Sequence, residues 1–194
     1  LQNDDPGFRS ENLLTFQTFL PPAGYTDANA QIAFFDRLMP ELKSIPGVVN
    51  VTGMNGMPPR RDVNANDTEF ENVPQGDGYP AHNVDYWQFV ARDYLETMGI
   101  PVLQGRNFGP SDGAGTTPVV LVNEQLVKTF YKGTDPIGRR IRPPGPPDNP
   151  QPWFTIVGVV KDVKQNGLEA ETGTELYFYY PQVGALFAPR PMNI

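Results

Sequence analysis

The hydrophobic pattern is densest between residues 119 and 163, and the rest of the chain reads outward from there. Val119, Val120, Leu121 and Val122 form a short apolar run that predicts a strand. Asn123 follows, a residue whose side-chain oxygen suits a helix N-cap, and Glu124 places negative charge in the first turn, where the helix dipole favours it. Val122, Leu126 and Phe130 fall at i, i+4 and i+8, with Val127 and Tyr131 beside them, so one apolar stripe is predicted. Gly133 should end this helix. Asp135-Pro136-Ile137-Gly138 reads as a turn and residues 139–142 as the strand that leaves it. After a proline-rich excursion over 143–152, expected to be extended and polyproline-like, residues 154–160 are apolar on both faces and predict a covered central strand.

Earlier in the chain, Leu14, Phe16 and Leu20 share a face with Thr18, the alternation of a half-buried strand over 13–20. Pro21-Pro22-Ala23-Gly24 breaks it, and Thr26 or Asp27 can cap the next helix. Ala28, Ile32, Phe35, Met39 and Leu42 are spaced four, three, four and three, an amphipathic signature. Pro40 sits inside that pattern and should kink the helix or loosen its second half. Residues 48–52 then predict a strand, completing a strand–helix–strand unit. Residues 53–78 are rich in Gly, Pro, Asn and Asp and read as a long excursion with a short strand at 68–73. A strand over 82–90, a short helix over 92–98 stopped by Gly99, a strand over 100–103, a polar loop over 107–117 and an aromatic strand over 176–180 closed by Pro181 complete the set. Alternation in that last strand would bury one set of aromatics as core and leave the other for an interface.

Composition narrows the function classes. At 194 residues the chain can bury a real core, as one domain or two small ones. Its net charge of −7 argues against a broadly basic nucleic-acid surface. Cysteine is absent, which removes disulfides, thiolate nucleophiles and cysteine metal sites. No stretch approaches the ~18 consecutive apolar residues of a membrane span, and no signal peptide is visible. The first residue is Leu1, which suggests a piece of a longer chain.

Candidate chemistry is sparse. His82 is the sole histidine and stands near Asp85; it is either a general base awaiting a positioned partner or a strand residue. The paired acids Asp4-Asp5, Asp62 with Asp67, and Glu169 with Glu171 lie in expected loops, where solvated charge is the simpler reading. Gly53-Met54-Asn55-Gly56 lacks the full phosphate-loop fingerprint. Ser10, Ser44 and Ser111 have no nucleophile-elbow context. Met54 and Met57 are too few for a thioether metal site. Arg139, Arg140 and Arg142, with Lys132 nearby, form a local basic cluster. It serves either as a contact for an acidic partner or lipid head groups, or as the outer face of a strand. No catalytic, cofactor-binding or metal site is predicted.

Several motifs carry a family resemblance: "PVVLVNEQLVKTFYKGTDPIGRRI" followed by "FTIVGVVKDV", preceded by "DYLETMGIPVLQGRNF", "LMPELKSIPGVVNVTG" and "DPGFRSENLLTFQTFLP". In this order they resemble the periplasmic core domain of MacB-type ABC transporter permeases, nearer to the duplicated bacterial permease subfamily. The resemblance implies an α+β fold of two subdomains. A porter-like strand–helix–strand part would occupy 1–90, with its unit over 12–52, and an inserted mixed α/β, sabre-like part would occupy 91–180. Residues 181–194 would begin a return segment, leaving an unpaired sheet edge. It further implies an extracytoplasmic, periplasmic domain between two transmembrane helices, working with an ABC ATPase, in a permease homodimer or pair, with a periplasmic adaptor as a possible further partner. The implied role is non-catalytic mechanotransmission to substrate export or release, with no cofactor. The alternative is an extracytoplasmic ligand-binding or sensor domain, which would need a concave pocket with convergent polar groups.

Overall fold

A curled mixed sheet carries most of the chain. The computed structural model describes residues 5–21, 23–25, 27–73, 82–183 and 192–194. In order, the elements are β1 (Gln17–Thr18), α1 (Ala28–Lys43), β2 (Asn66–Phe70), β3 (His82–Val84), β4 (Tyr86–Val90), α2 (Tyr94–Met98), β5 (Val102–Gly105) and β6 (Val119–Asn123). Then come α3 (Glu124–Leu126), which continues as a π-helical turn (Val127–Tyr131), β7 (Arg140–Arg142), β8 (Phe154–Val160), β9 (Glu175–Tyr179), α4 (Tyr180–Val183) and β10 (Met192–Asn193). The main sheet has the order β3-β2-β7-β8-β6-β9-β4, with β5 also paired to β8. β1 and β10 form a separate two-stranded ladder. The fold is α+β.

The middle of the sheet is apolar on both faces because both faces are covered. β6 runs parallel to β8 and antiparallel to β9, and β4 runs parallel to β9. Alternation along each strand sends Val120, Val122, Phe154, Ile156, Leu176 and Phe178 to one face, where Leu126 and Tyr131 pack. The opposite face receives Leu121, Val160 and Tyr177, covered by Tyr94, Leu95 and Met98 of α2. Fully burying one such side chain is worth about 1.5–3 kcal/mol, so these central strands hold most of the stability. The strand predicted at 154–160 is therefore covered as expected. In β9 both aromatic sets are buried, where alternation alone accounts for one. β9 spans Glu175–Tyr179, and Pro181 begins a helical turn instead of merely closing a strand. One irregularity is built from glycine. The register of β6 on β8 steps from Val120↔Ile156 to Leu121↔Gly158. A Cβ on Gly158 would lie 2.3 Å from the carbonyl oxygen of Arg106 and 2.9 Å from the Leu121 side chain, so only glycine lets β5 and β6 close on this bulge.

Several expected elements differ. The stripe through Phe130 loses phase because the helix passes into a π turn, so the buried residues are Leu126 and, five positions on, Tyr131. Phe130 lies half-buried against Phe70. Asp27 caps α1, its carboxylate accepting from the N–H of Ala30 at 2.8 Å. The half-buried face is the predicted one, with Phe35 its deepest member. Pro40 neither breaks nor shortens α1. The carbonyl it leaves unbonded belongs to Asp36, on the exposed side, where water can serve. Residues 48–52 form no strand: Val49 is 90% exposed, and no neighbouring strand among the described residues offers a ladder. The strand expected over 13–20 shrinks to β1 for the same reason. The proline-rich segment is not uniformly extended, since Asn149 N–H turns back to the carbonyl of Pro146 at 3.0 Å. Strands β2, β3 and β4, within the expected first part, hydrogen-bond into the same sheet as β7 and β9. Much of the expected start of the return segment lies outside the described residues.

Candidate functional site

The three arginines are drawn into the sheet's own surface. β7 lies antiparallel to β2, with Glu69 opposite Arg142. Arg142 Nε donates to Glu69 at 2.6 Å, and its guanidinium stands 4.4 Å over the Trp153 ring. Arg140 forks onto both carboxylate oxygens of Glu71 and holds that carboxyl below the usual carboxylate range. Cross-strand pairs of this kind add little each and fix register. Arg139 sits exposed at the turn before β7, bound through its backbone to Pro136 and Ile156. His82 packs edge-on against Phe70 and tilted against Phe130, whereas Asp85 accepts from the backbone and hydroxyl of Thr174 at 2.7 and 2.9 Å. Asp62, Glu169 and Glu171 are exposed, and Asp5 pairs with Lys161. Among the described residues no three His, Asp or Glu side chains gather as a metal cage.

A narrow seam joins the α1 part to the main sheet. Met54 bridges Val90 on one side and Asn193 on the other. Gly53 accepts from Ala91 N–H at 2.8 Å, and a Cβ there would collide with Met192 Sδ at 2.4 Å. Around it, Asn50 Nδ2 donates to Thr97 Oγ1 at 2.8 Å and Thr52 Oγ1 to the carbonyl of Arg92 at 2.9 Å. The only aromatic bridge found across it, among the described residues, is Phe35 against Tyr180 at 5.9 Å. The Gly53-Met54-Asn55-Gly56 stretch is thus a joint between strands.

Beside the seam lies an open groove of about 1010 Å³. Its walls include Leu13, Leu14, Phe16, Val48, Val49 and Ile194. Leu14 is 88% exposed. This is the least covered apolar surface of the described chain.

Inside the second core sits a polar cluster that no pattern predicted. Glu175 opens β9 and is fully buried. Its Oε2 accepts three hydrogen bonds, from Tyr177 Oη at 2.7 Å, Gln165 Nε2 at 2.8 Å and Gln88 Nε2 at 3.2 Å. Its Oε1 has no partner, and neither does Gln165 Oε1 nor the Tyr94 hydroxyl. Arg61 reaches Gln88 Oε1 and donates to the carbonyl of Trp87 at 2.9 Å, so it meets Glu175 only through an amide. Burial pushes the Glu175 carboxyl up to about 7, against the lowering effect of its three donors and Arg61. Burial likewise raises the hydroxyls of Tyr177 and Tyr94.

A model of the MacB-like periplasmic core domain family matches residues 1–190. The chain belongs to that family. Among solved structures, it is similar to the extracellular domain of the noncanonic ABC-type transporter YknZ from Gram-positive bacteria, at 14% identity and a TM-score of 0.57, over 93% of this chain and 82% of that one. It is also similar to the periplasmic region of MacB from Actinobacillus actinomycetemcomitans, at 16% identity and a TM-score of 0.51, over 92% and 71% of the two chains. At these identities the two structures speak for the fold. No curated protein matches the chain.

As a MacB-like core domain, the chain is an extracytoplasmic part of an ABC transporter permease, a class with transmembrane helices and ATPase partners. Among the described residues no helix is long and apolar enough to cross a membrane, so the membrane context comes from the family. Sequence patterning missed Glu175, Gln88, Gln165 and Arg61. The available signal was a carboxylate and an amide in otherwise apolar strands, Glu175 in "ELYFY" and Gln88 in "YWQFV".

Proposed function

We propose that this domain is a non-catalytic lever. It carries conformational change from the membrane helices and ATPase of its permease to the export or release of a substrate outside the membrane. The observation that supports this reading is the contrast between a sheet buried on both faces and the thin seam at residues 50–57. A stiff plate on a narrow joint transmits displacement, as hinge-type transitions require. Among the described residues the candidate nucleophiles and bases are dispersed, and His82 packs on aromatics. We divide the chain into a porter-like part around α1 and an inserted sabre-like part centred on 91–180. Strands β2 to β4 move with the latter, to which they are hydrogen-bonded. Two copies meet in a permease dimer or pair, and Arg139, exposed at the turn before β7, is the member of the arginine cluster that touches a partner or a periplasmic adaptor.

The test uses the absence of native cysteine. Cysteines placed at Asn50 and Thr97 in the intact permease, bridged by a short thiol reagent, pin the seam. Transport is expected to stop while ATP hydrolysis continues, and cleavage of the bridge restores it. Transport that proceeds with the seam fully bridged would overturn the lever. The ligand-binding alternative draws support from the groove beside the seam, whose aliphatic walls also carry Arg9, Lys43, Asp93 and Glu96.

A further inference from the structure

We infer that Glu175 is a proton-binding site: the neutral acid donates from Oε1 to Gln165 Oε1, closing a two-bond acid–amide ring that latches the 57–61 segment onto the sheet. The two halves of such a ring are visible separately. One bond is in place, Gln165 Nε2 donating to Glu175 Oε2 at 2.8 Å. The remaining oxygen of each group is buried and unpartnered. A buried acceptor without a donor costs about 1–3 kcal/mol. A single carboxylic-acid hydrogen satisfies both. The Gln165 amide cannot supply it, because one of its N–H groups is given to Oε2 and neither can reach its own Oε1.

Burial favours the neutral form and outweighs the groups around the carboxyl, several of which donate to it. β4 contributes the Gln88 amide and the Tyr86 hydroxyl, α2 the Tyr94 hydroxyl and β9 the Tyr177 hydroxyl. The 57–61 segment contributes Arg61, whose cation is held one amide away. A fully buried anion without a direct counter-ion is strongly disfavoured.

The proton is coupled to a piece of structure. Gln165 also holds the incoming chain through its backbone, with Arg61 N–H donating to its carbonyl at 2.9 Å and Gly167 N–H donating to the carbonyl of Pro59 at 2.7 Å. Loss of the proton leaves both buried oxygens without a donor and loosens this contact, beside the seam at Met54. The site therefore makes the joint sensitive to the pH of the medium that bathes it, independently of whether the domain acts as a lever.

The sign follows from linkage. The folded carboxyl lies at about 7 and the unfolded one at 4.5, so folding takes up a proton between these values. The contribution is complete below pH 4.5 and is lost as pH rises to about 7. Three measurements on the purified chain test this. Carbon NMR of the Glu175 carboxyl should show a midpoint near neutrality; a midpoint in the ordinary carboxylate range overturns the proton site. The Tm should fall by roughly 5–10 °C between pH 4.5 and 8, and E175Q, which keeps the ring as an amide pair, should remove most of that slope. An unchanged slope in E175Q overturns the proton site as well. Finally, amide exchange protection at Arg61 and Gly167 should drop across the same window in the native chain and not in E175Q. Constant protection while Glu175 titrates would overturn the latch.

Discussion

Two regions of this domain are built from equally apolar sequence and have opposite fates. In the β6–β8–β9 centre, every residue of β6 and β9 is buried, and the two faces belong to two different cores. In the β1 and 48–52 region, Leu14, Phe19 and Val49 are 88%, 72% and 90% exposed. Composition does not distinguish them; neighbours do. A strand at the centre has a ladder on each edge and side chains on each face, so its apolar residues contribute their full burial energy. An extended segment with one short ladder contributes almost none of it. Stability and available binding surface are thus segregated, one in the plate and the other beside the seam.

The largest way to break this contrast is in the plate. Phe178 is buried at the crossing of Phe89, Trp87 and Phe154, with ring centroids 5.1–5.5 Å away. F178A removes that ring from a site closed on all sides, and the expected loss is about 3–5 kcal/mol, read from urea unfolding. A loss comparable to that of a surface substitution would mean that the centre is loosely packed. Next comes Asn123, which is buried and serves three contacts at once. Its Oδ1 accepts from Leu126 N–H at 3.0 Å and from Glu175 N–H at 2.9 Å, and its Nδ2 donates to the carbonyl of Gly173 at 2.8 Å. N123A deletes a helix cap and orphans buried groups on β9, for an expected cost of about 2–3 kcal/mol. A cost of only a few tenths would reduce Asn123 to an ordinary exposed cap.

The plate was legible in the sequence and the seam was not, for a physical reason. The runs at 119–122 and 154–160 announce central strands because covered faces demand continuous apolar residues, and Asn123 announces its cap locally. The π turn was hidden because a 3.6-residue period carries no mark for one inserted residue, which moved burial from Phe130 to Tyr131. Segments 13–20 and 48–52 have strand-like patterns, yet a strand also needs a partner, which lies outside any local window. The Glu175 cluster is the extreme case. Gln88 and Glu175 are 87 positions apart, and Arg61 reaches the same site from a stretch whose pattern read as a long excursion. A polar residue in an apolar strand signals that a partner exists without saying where.

The smallest expected stability effect gives the sharpest test of the segregation itself. Leu14 and Val49 both line the groove and stand almost fully in solvent. If they contribute nothing to the plate, L14S and V49S leave urea unfolding within about 0.5 kcal/mol of the native chain, as surface changes away from packed features do. The same substitutions in the intact permease act where an apolar surface would meet another part of the machine, so transport is expected to fall although the domain folds normally. The two readouts separate the possibilities. A large loss of stability would show that the groove walls belong to the core after all, and native transport with native stability would show that the exposed surface is idle. Weakened transport on an intact fold would assign the work of contact to the region whose apolar residues the fold leaves uncovered, and the work of stiffness to the one where they are all buried.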